Sequence, residues 1–381
     1  MTGPGSSRSR VVLHVGVPKS GTTFLQKALW LNREPLREAG FRLPGASQRE
    51  MFLAAIEVRG THRNWGMPAD AVQGTWRRLS EEATDFAGTT IMSHELLAAA
   101  TPEQIGPALA QLGDAEVHLV LTGRDLARQA ISEWQERIKN GNTATFGKFQ
   151  ATLTKGIDAR NFGGLFWRYH HIPDILDRWG ADIPASNVHL VTSPVSSADP
   201  AALWRRFGEA AGFDADPLDP TVPDGTANQS LGVAQIAILR QVNEALDGRI
   251  VQPAYARVVK RHVGQDLLTR HTSPRPSCPP ELVAPLRELS EEWLREIERR
   301  GYTVHGDLAD LLPAEPRTEA PQPDAVDLDE QAAISATVIA DLLVEVAELR
   351  GRVRRLSART PGSRLRGGER ARRALRSLLR R

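Results

Sequence analysis

A loop with two glycines and a lysine lies between an apolar segment and a helical pattern in residues 14–29, HVGVPKSGTTFLQKAL. Gly16 and Gly21 keep the spacing of the Walker phosphate-binding loop, GxxxxGK[ST]. Thr22 stands where that motif has its lysine, and Lys19 lies in the middle of the loop instead. Since a loop of this kind joins the end of a strand to the start of a helix, the segment predicts an α/β fold.

Short apolar segments rich in β-branched residues recur along the chain, and each is followed by a loop and a helical pattern. The segments that predict strands are residues 11–16, 89–93, 116–122 and 187–192. Because they are apolar almost throughout, we expect parallel strands that are covered on both faces. The pattern predicts a three-layer α/β domain over residues 11–313, with a P-loop-like fold and a central parallel sheet.

The composition changes at both ends of this domain. Residues 1–10 are rich in Gly, Ser and Arg and predict a disordered lead, and residues 314–327 are rich in Pro and acidic side chains and predict a linker. Residues 328–358 have the apolar spacing of an amphipathic helix, and residues 359–381 form an Arg-rich tail. The sequence therefore predicts one large domain with a C-terminal helical extension.

Two sets of apolar residues recur at seven-residue spacing in the predicted extension. They are Ile339, Val346 and Val353, and Leu342, Leu349 and Leu356. β-Branched residues at one heptad position with leucine at the other favour a parallel two-stranded coiled coil, so the pattern predicts a homodimer through residues 328–358. An amphipathic helix that lies back on the body is the alternative. Gly351 inside the pattern costs about 1 kcal/mol of helix stability relative to alanine.

The charge is distributed unevenly along the chain. Residues 350–381 hold 13 arginines and one acidic residue, so they carry +12 and the remaining chain carries −10 within the formal net charge of +2. The acidic body is not expected to bind nucleic acid. Two interpretations of the tail stay open: it contacts an anionic membrane surface through its leucines, or it is solvated and disordered.

The low cysteine content and the lack of long apolar segments indicate the cellular compartment. A single cysteine, Cys278, excludes an intramolecular disulfide framework and a Cys-based zinc cluster. No apolar run approaches the roughly 18–20 residues of a membrane span, and residues 1–10 lack the apolar segment of a signal peptide. We expect a cytoplasmic protein, peripheral at the inner membrane face if the tail binds there.

The chemistry of the loop follows from its backbone and its lysine. The N–H groups of residues 19–23, at a helix N-terminus, predict a nest for one anionic group. Lys19 is placed to approach the bridging oxygen of a leaving group rather than the outer phosphates of a nucleoside triphosphate. This arrangement argues against Mg²⁺-dependent nucleotide hydrolysis and requires no metal. The alternative is an ordinary strand-turn-helix without a ligand.

The string PKSGTTFL resembles the 5′-phosphosulfate loop of the sulfotransferase family that uses PAPS, 3′-phosphoadenosine 5′-phosphosulfate. The family has a second signature, a strand that ends in arginine with a serine eight residues later. Arg124 and Ser132 stand at this spacing in VHLVLTGRDLARQAISEWQERIKNG. The resemblance extends over roughly residues 11–313. Within the family, this sequence is similar in type to the actinobacterial branch of the bacterial enzymes.

The resemblance implies a cofactor, PAPS, a product, PAP, and a set of binding residues. Arg124 offers a planar fork to the 3′-phosphate, and Ser132 donates a hydroxyl to the same group. The 5′-phosphosulfate would be held by Lys19, Ser20, Gly21, Thr22 and Thr23. Lys19 would also neutralise the charge that grows on the bridging oxygen as PAP leaves.

The general base is predicted among neighbouring residues of TTIMSHELL, residues 89–97. Family members have a histidine or a glutamate at the end of the corresponding strand, and this sequence has both His94 and Glu95. An imidazole near its ordinary pKa suits removal of a hydroxyl proton at neutral pH, which favours His94. Adjacent residues of an extended segment point to opposite faces, so only one is expected to face the sulfuryl group. His62 is a third, weaker candidate.

One departure from the family concerns the cover of the nucleotide. The RKGxxGDWK-type loop that closes over it in cytosolic animal enzymes is missing here. Aromatic candidates for stacking on adenine are Trp134, Trp167 and Tyr169, although such residues are more often part of the core.

The resemblance implies direct, in-line transfer of a sulfuryl group from PAPS to an acceptor hydroxyl on a carbohydrate, a glycolipid or a small metabolite. Two alternative functions belong to other classes of protein. A P-loop kinase requires a Walker lysine, and position 22 is threonine. A non-enzymatic PAP-binding or coiled-coil scaffold with a degenerate site is expected to have lost Lys19 or Arg124, and both are present.

Overall fold

The computed structural model describes residues 9–195, 199, 201–222, 230–315 and 319–358. The chain divides into two compact units, Met1–Val326 and Asp327–Arg381. Most of the predicted disordered lead and the Arg-rich tail of residues 359–381 lie outside the described residues. No helix of the described residues is long and apolar enough to cross a membrane.

The first unit contains a six-stranded sheet. Its strands are β1 Arg10–His14, β2 Phe41–Arg42, β3 Thr89–Ser93, β4 Glu116–Gly123, β5 Val188–Thr192 and β6 Thr303–His305. They lie in the order β2-β3-β1-β4-β5-β6, and every neighbouring pair is parallel. The four predicted strands are confirmed to within two residues at each end. The edge strands β2 and β6 were not predicted, because two and three residues are too short for a recognisable pattern.

Helices connect the strands and extend the chain beyond the sheet. The α-helices are α1 Thr22–Leu31, α2 Arg33–Glu38, α3 Gln48–Val58, α4 Thr75–Thr84, α5 Pro102–Ala110, α6 Leu126–Lys139, α7 Phe146–Asp158, α8 Leu165–His170, α9 Ile172–Gly180, α10 Ala202–Ala211, α11 Val233–Leu246, α12 Pro280–Arg300 and α13 Leu328–Ala358. A π-helix spans Ala256–Leu267 between α11 and α12.

One face of the sheet packs against α1 and α10. Val12, Ile91 and Val120 from the central strands form a buried cluster with Leu29 of α1 and Phe207 of α10. Each large apolar side chain that is buried in this way contributes about 1.5–3 kcal/mol relative to an exposed one.

The opposite face is covered by other helices. Leu13 and Leu119 are fully buried and alternate with the residues of the first face, as side chains of a strand do. α9 packs against β4, with Gly180 next to Leu119, and α4 packs against β1. Helices on both faces of a parallel sheet confirm the predicted three-layer α/β fold.

Three central strands bring the predicted site residues to one edge of the sheet. The phosphate-binding loop follows β1, His94 follows β3 and Arg124 follows β4. These strands are parallel and adjacent, so their carboxyl ends meet at the same edge, where open α/β sheets bind ligands.

The described part of the second unit consists mainly of the helix α13. Apolar side chains at both predicted heptad positions are exposed, including Ile339 at 56%, Val346 at 42% and Leu356 at 65%. The helix therefore presents an apolar stripe, as the heptad pattern predicts for residues 328–358, and dimerisation through it stays a prediction.

Candidate active site

Three residues of the loop between β1 and α1 have a left-handed backbone conformation, Gly16 (φ 46°), Lys19 (φ 68°) and Gly21 (φ 97°). At Gly21 an added Cβ would collide with Leu203 of α10, so the backbone there requires glycine. Lys19 is a non-glycine residue in this conformation, which costs roughly 1–3 kcal/mol and is retained mostly at functional sites. The loop therefore holds Lys19 in a strained backbone position.

The loop is fixed to the neighbouring strand β4 by backbone hydrogen bonds. Val15 N–H donates to the carbonyl of Val120 at 3.0 Å, and Val17 N–H donates to the carbonyl of Thr122 at 3.0 Å. α1 begins directly after the loop at Thr22, and the first N–H groups of a helix have no intrahelical acceptor. The start of α1 thus lies where the sequence predicts a nest for an anion.

The three hydroxyl residues of the loop lie in different environments. Ser20 is buried, and its hydroxyl donates to the carbonyl of Val17 at 2.6 Å and lies 2.6 Å from Thr122 Oγ1. Thr22 is also buried, whereas Thr23 is exposed. The hydroxyl of Ser20 therefore stabilises the loop, and its backbone N–H does so too by donating to the carbonyl of Val17 at 3.2 Å.

Lys19 forms an ion pair with a residue that the sequence analysis did not identify. Its Nζ lies 2.6 Å from Oε2 of Glu136 in α6. The other oxygen of the same carboxylate, Oε1, lies 2.6 Å from Nζ of Lys260 in the π-helix. Glu136 thus joins two lysines from distant parts of the chain beside the phosphate-binding loop.

The ionisation of this cluster follows from its charges. Burial alone would raise the pKa of Glu136, but the ammonium groups of Lys19 and Lys260 outweigh burial and hold the pKa well below its ordinary value. Burial, together with the charges of Lys19 and Lys260, lowers the pKa of the neighbouring Lys139 to about 8. At neutral pH the cluster around Glu136 is therefore positive overall.

Arg124 and Ser132, the predicted 3′-phosphate pair, line one open cavity of about 650 Å³. Arg124 Nη1 also donates to the carbonyl of Lys19 at 3.1 Å, which ties the cavity to the phosphate-binding loop. Burial, together with the charge of Arg128, lowers the pKa of Arg124 to about 10. The structure thus brings Arg124, Ser132 and the loop together at one sheet edge.

His94 lies at the end of β3 and caps the short 3₁₀-helix Glu95–Ala99. Its Nδ1 accepts the N–H of Leu96 at 3.2 Å, so in the neutral ring the proton is on Nε2. Burial lowers the pKa of His94, with Glu95 opposing this effect, so the ring is neutral at pH 7. In this arrangement His94 presents a donor at Nε2 rather than a free acceptor.

Glu95 lies between α1 and the loop. Its Oε2 accepts the side-chain amide of Gln26 at 2.8 Å, and a Cβ added at Gly16 would lie 3.5 Å from the Cβ of Glu95. Burial alone would raise the pKa of Glu95, but His94 and the hydrogen bonds to the carboxylate hold it below its ordinary value. Glu95 is therefore an ionised carboxylate next to the phosphate-binding loop.

The third predicted base, His62, lies in a 3₁₀-helix away from these contacts. Within the described residues it forms no hydrogen bond with another predicted site residue. Its helix contacts the site through aromatic rings instead. The ring of Trp65 packs edge-on against the ring of Phe52, with 4.9 Å between their centroids. The centroid of the Phe52 ring lies 5.6 Å from that of His94.

The aromatic candidates for adenine stacking belong to the interior. Trp134 is 2% exposed, and its Nε1 donates to the carbonyl of Ala144 at 2.9 Å. Trp167 is also buried, and the hydroxyl of Tyr169 accepts a hydrogen bond from Arg59 at 3.0 Å. None of the three lines the cavity with Arg124, so their contacts are those of core and supporting residues.

Sequence reasoning missed three charged residues near the site. Arg128 and Glu136 each lie four residues from Ser132 on α6, one before it and one after it, and therefore share a face of the helix with it. This spacing is a signal that could have found them. Lys260 carries no such signal, because only the folded chain brings it to Glu136.

No protein-family model and no curated protein sequence matches the chain. Among solved structures, the chain is similar to the crystal structure of a sulfotransferase from Alicyclobacillus acidocaldarius. The sequence identity is 16%, the match covers 68% of this chain and 98% of the other, and the TM-score is 0.37. At this identity and TM-score, the fold and site described above rest on the chain's own structure.

Proposed function

We propose that the protein is a PAPS-dependent sulfotransferase that transfers a sulfuryl group directly to an acceptor hydroxyl. The observation that carries the proposal is that Arg124, which lines a cavity together with Ser132, donates to the carbonyl of Lys19 at 3.1 Å. A site for a second phosphate thus adjoins an anion-binding loop. A nucleotide with both a 3′-phosphate and a 5′-phosphosulfate has the matching distribution of charge.

The donor supplies the sulfuryl group, and the residues of the chain position and stabilise the reacting atoms. The N–H groups at the start of α1 hold the phosphosulfate. Lys19 stabilises the negative charge on the 5′-phosphate oxygen, which keeps the electron pair of the broken S–O bond. The acceptor oxygen forms the new S–O bond and gives its proton to the base. Such catalysis is mostly positioning and charge stabilisation.

Glu95 is the base that the geometry favours. It is an ionised carboxylate beside the loop, whereas the acceptor nitrogen of His94 is already bonded to Leu96. We assign His94 the role of a neutral donor that orients the reacting groups. This assignment departs from the preference for His94 that the sequence supports on pKa alone.

The proposed acceptor is a hydroxyl-bearing carbohydrate, glycolipid or small metabolite. The rival classes make different demands on the site. A P-loop kinase requires a lysine in place of Thr22, whose side chain is buried here. A scaffold requires neither the strained Lys19 nor the arginine-lined cavity.

Transfer of label from ³⁵S-PAPS to hydroxyl compounds in a cell extract, in EDTA, tests the proposal. We expect labelled product with the parent protein, and a loss of rate on the order of 100-fold or more with Lys19→Ala, because a preorganised charge acts mainly in the transition state. Transfer of phosphate from ATP with Mg²⁺, but not of label from PAPS, would instead support a kinase.

A further inference from the structure

Two further arginines, Arg128 and Arg275, line the cavity that holds Arg124 and Ser132. Arg128 lies one helical turn after Arg124, in the first turn of α6. Arg275 comes from the segment that precedes α12, far away in the sequence. Three guanidinium groups from two separate segments therefore line one cavity of about 650 Å³.

The carboxylates that line the same cavity do not balance these charges. Asp125 forms an ion pair with Arg128 and also accepts its backbone N–H at 2.9 Å as the N-cap of α6. Glu315 is mostly exposed and lies 3.5 Å from Arg287. Within the described part of the chain, neither carboxylate forms an ion pair with Arg124 or Arg275. The cavity consequently has an excess of positive charge.

One donor of Arg128 has no acceptor within the part of the chain that the structure describes. Its Nη1 donates to the carbonyl of Pro194 at 3.3 Å, whereas Nη2 is buried without a hydrogen-bond partner among the described residues. An unpaired buried donor costs stability, and such groups are rare in native proteins unless a ligand or water completes them. Arg128 therefore retains one donor that no described protein group uses.

The backbone around Arg275 is fixed before any ligand binds. Pro274 and Pro276 flank it, and each restricts its own φ and the conformation of the residue before it. The carbonyl of Pro274 accepts the N–H of the first residue of α11 at 2.9 Å, and Ser277 N–H donates to the carbonyl of Pro321 at 2.9 Å. The side chain itself is exposed and forms no ion pair with the described residues.

We propose that Arg124, Arg128 and Arg275 together form the receptor for the 3′-phosphate of the donor, and that Arg275 covers this phosphate from the side opposite to α6. The inference rests on the proposed function and specifies which residues give it selectivity. A phosphate dianion offers enough acceptor positions for several guanidinium groups, and charge-assisted hydrogen bonds of this kind are strong.

Calorimetric titration of Arg275→Ala with PAP and with 5′-AMP tests this assignment. We expect PAP to bind about tenfold more weakly than to the parent, the size of effect that loss of one charge-assisted hydrogen bond gives. The affinity for 5′-AMP should stay within about twofold of the parent, since 5′-AMP has no 3′-phosphate. Arg257→Ala is the matched control, because Arg257 is an exposed arginine that does not line the cavity.

Arg128→Lys provides a second variant that keeps the charge and the pair with Asp125 but removes the planar fork. It should lower the affinity for PAP and leave the affinity for 5′-AMP unchanged. The position isomer adenosine 2′,5′-bisphosphate should lose less affinity than PAP in both variants, because its phosphate lies elsewhere on the ribose.

The outcomes separate this inference from the proposed function. If the parent binds PAP no better than 5′-AMP, the proposed function itself is wrong. If the parent prefers PAP, and Arg275→Ala keeps that preference as fully as Arg257→Ala does, then Arg275 is not part of the receptor. An equal loss of affinity for PAP and for 5′-AMP would likewise overturn the assignment.

Discussion

Nζ of Lys19 lies 2.6 Å from Oε2 of Glu136, and Nζ of Lys260 lies 2.6 Å from Oε1 of the same carboxylate. The lysine to which we assign the leaving-group role is therefore held by an internal counter-ion. A carboxylate in this position opposes the binding of an anionic sulfuryl donor, since like charges repel more strongly in a partly buried site than in water. Glu136 thus orients Lys19 and also competes with the donor for it.

Glu136→Gln should strengthen the binding of PAP. The amide keeps the size of the side chain but removes its negative charge, so Lys19 and Lys260 are both released to the nucleotide. We expect a gain of about 1 kcal/mol, or roughly fivefold in Kd, at low ionic strength and a smaller gain at high salt. Calorimetric titration of PAP at two salt concentrations measures this gain.

The control for this variant is Glu298→Gln, which removes the same charge from an exposed position of α12. It should leave the affinity for PAP unchanged. Weaker or unaltered PAP binding by Glu136→Gln would show that the carboxylate does not compete with the nucleotide.

The assignment of the base can be tested with two matched variants. Glu95→Gln keeps the shape of the side chain and should lower kcat by about 100-fold or more, as expected for loss of a general base. His94→Asn retains a side-chain acceptor for Leu96 N–H and should have a smaller effect. The reverse order of the two effects on kcat would assign the base to His94.

The pH dependence of the reaction follows from the same residues. The pKa of Glu95 is held below its ordinary value and that of His94 is lowered by burial, so neither group becomes protonated between pH 7 and 8. We expect kcat/KM to be flat over this range. A rise of nearly tenfold between pH 7 and 8 would point to a base with a pKa above 8.

Buried histidines should make the fold sensitive to acid. Burial lowers the pKa of His14 and of His189 to about 4, whereas an unfolded histidine titrates near 6.5. Between these values the unfolded chain binds protons that the folded chain does not. The free energy of unfolding should therefore fall as the pH is lowered from about 6.5 to 4, by up to roughly 1.4 kcal/mol per pH unit for each group.

Urea unfolding of the parent at pH 7.5, 6 and 5 measures this slope. His189→Gln should reduce it, because the variant removes one titrating group. A midpoint that stays constant from pH 7.5 to 5 would contradict the prediction.

The apolar stripe of α13 is proposed to pair with the same stripe of a second copy. A parallel coiled coil would cover Ile339, Val346 and Leu356, which are otherwise exposed. Cutting the chain after Pro313 should convert the dimer to a monomer in light scattering. Gly351→Ala in the full chain should stabilise the dimer, by about 1 kcal/mol in each helix. An unchanged mass after truncation would exclude dimerisation through α13.

Much of the fold could be predicted from local pattern. The central strands were predicted because each is a continuous apolar run, and the loop at Lys19 because its glycines follow β1 directly. The short edge strands β2 and β6 have too few residues for such a pattern. Their place in the sheet depends on the neighbouring strands.

The charges of the site could be predicted only in part. Arg124 and Ser132 form a motif on one strand-helix unit, so their meeting was predictable. Glu136 is 117 positions from Lys19, and its pair with Lys260 depends on how α6 packs beside the π-helix. The acceptor nitrogen of His94 is occupied by the N–H of Leu96, a local detail that residue type alone does not show.

The most direct test of the central claim is calorimetric titration of the parent and of Arg124→Ala with PAP, 5′-AMP and ATP in EDTA. We expect the parent to bind PAP about tenfold or more tightly than 5′-AMP without metal, and Arg124→Ala to remove this difference in affinity. Equal binding of PAP and 5′-AMP by the parent, or binding of ATP alone and only with Mg²⁺, would contradict it.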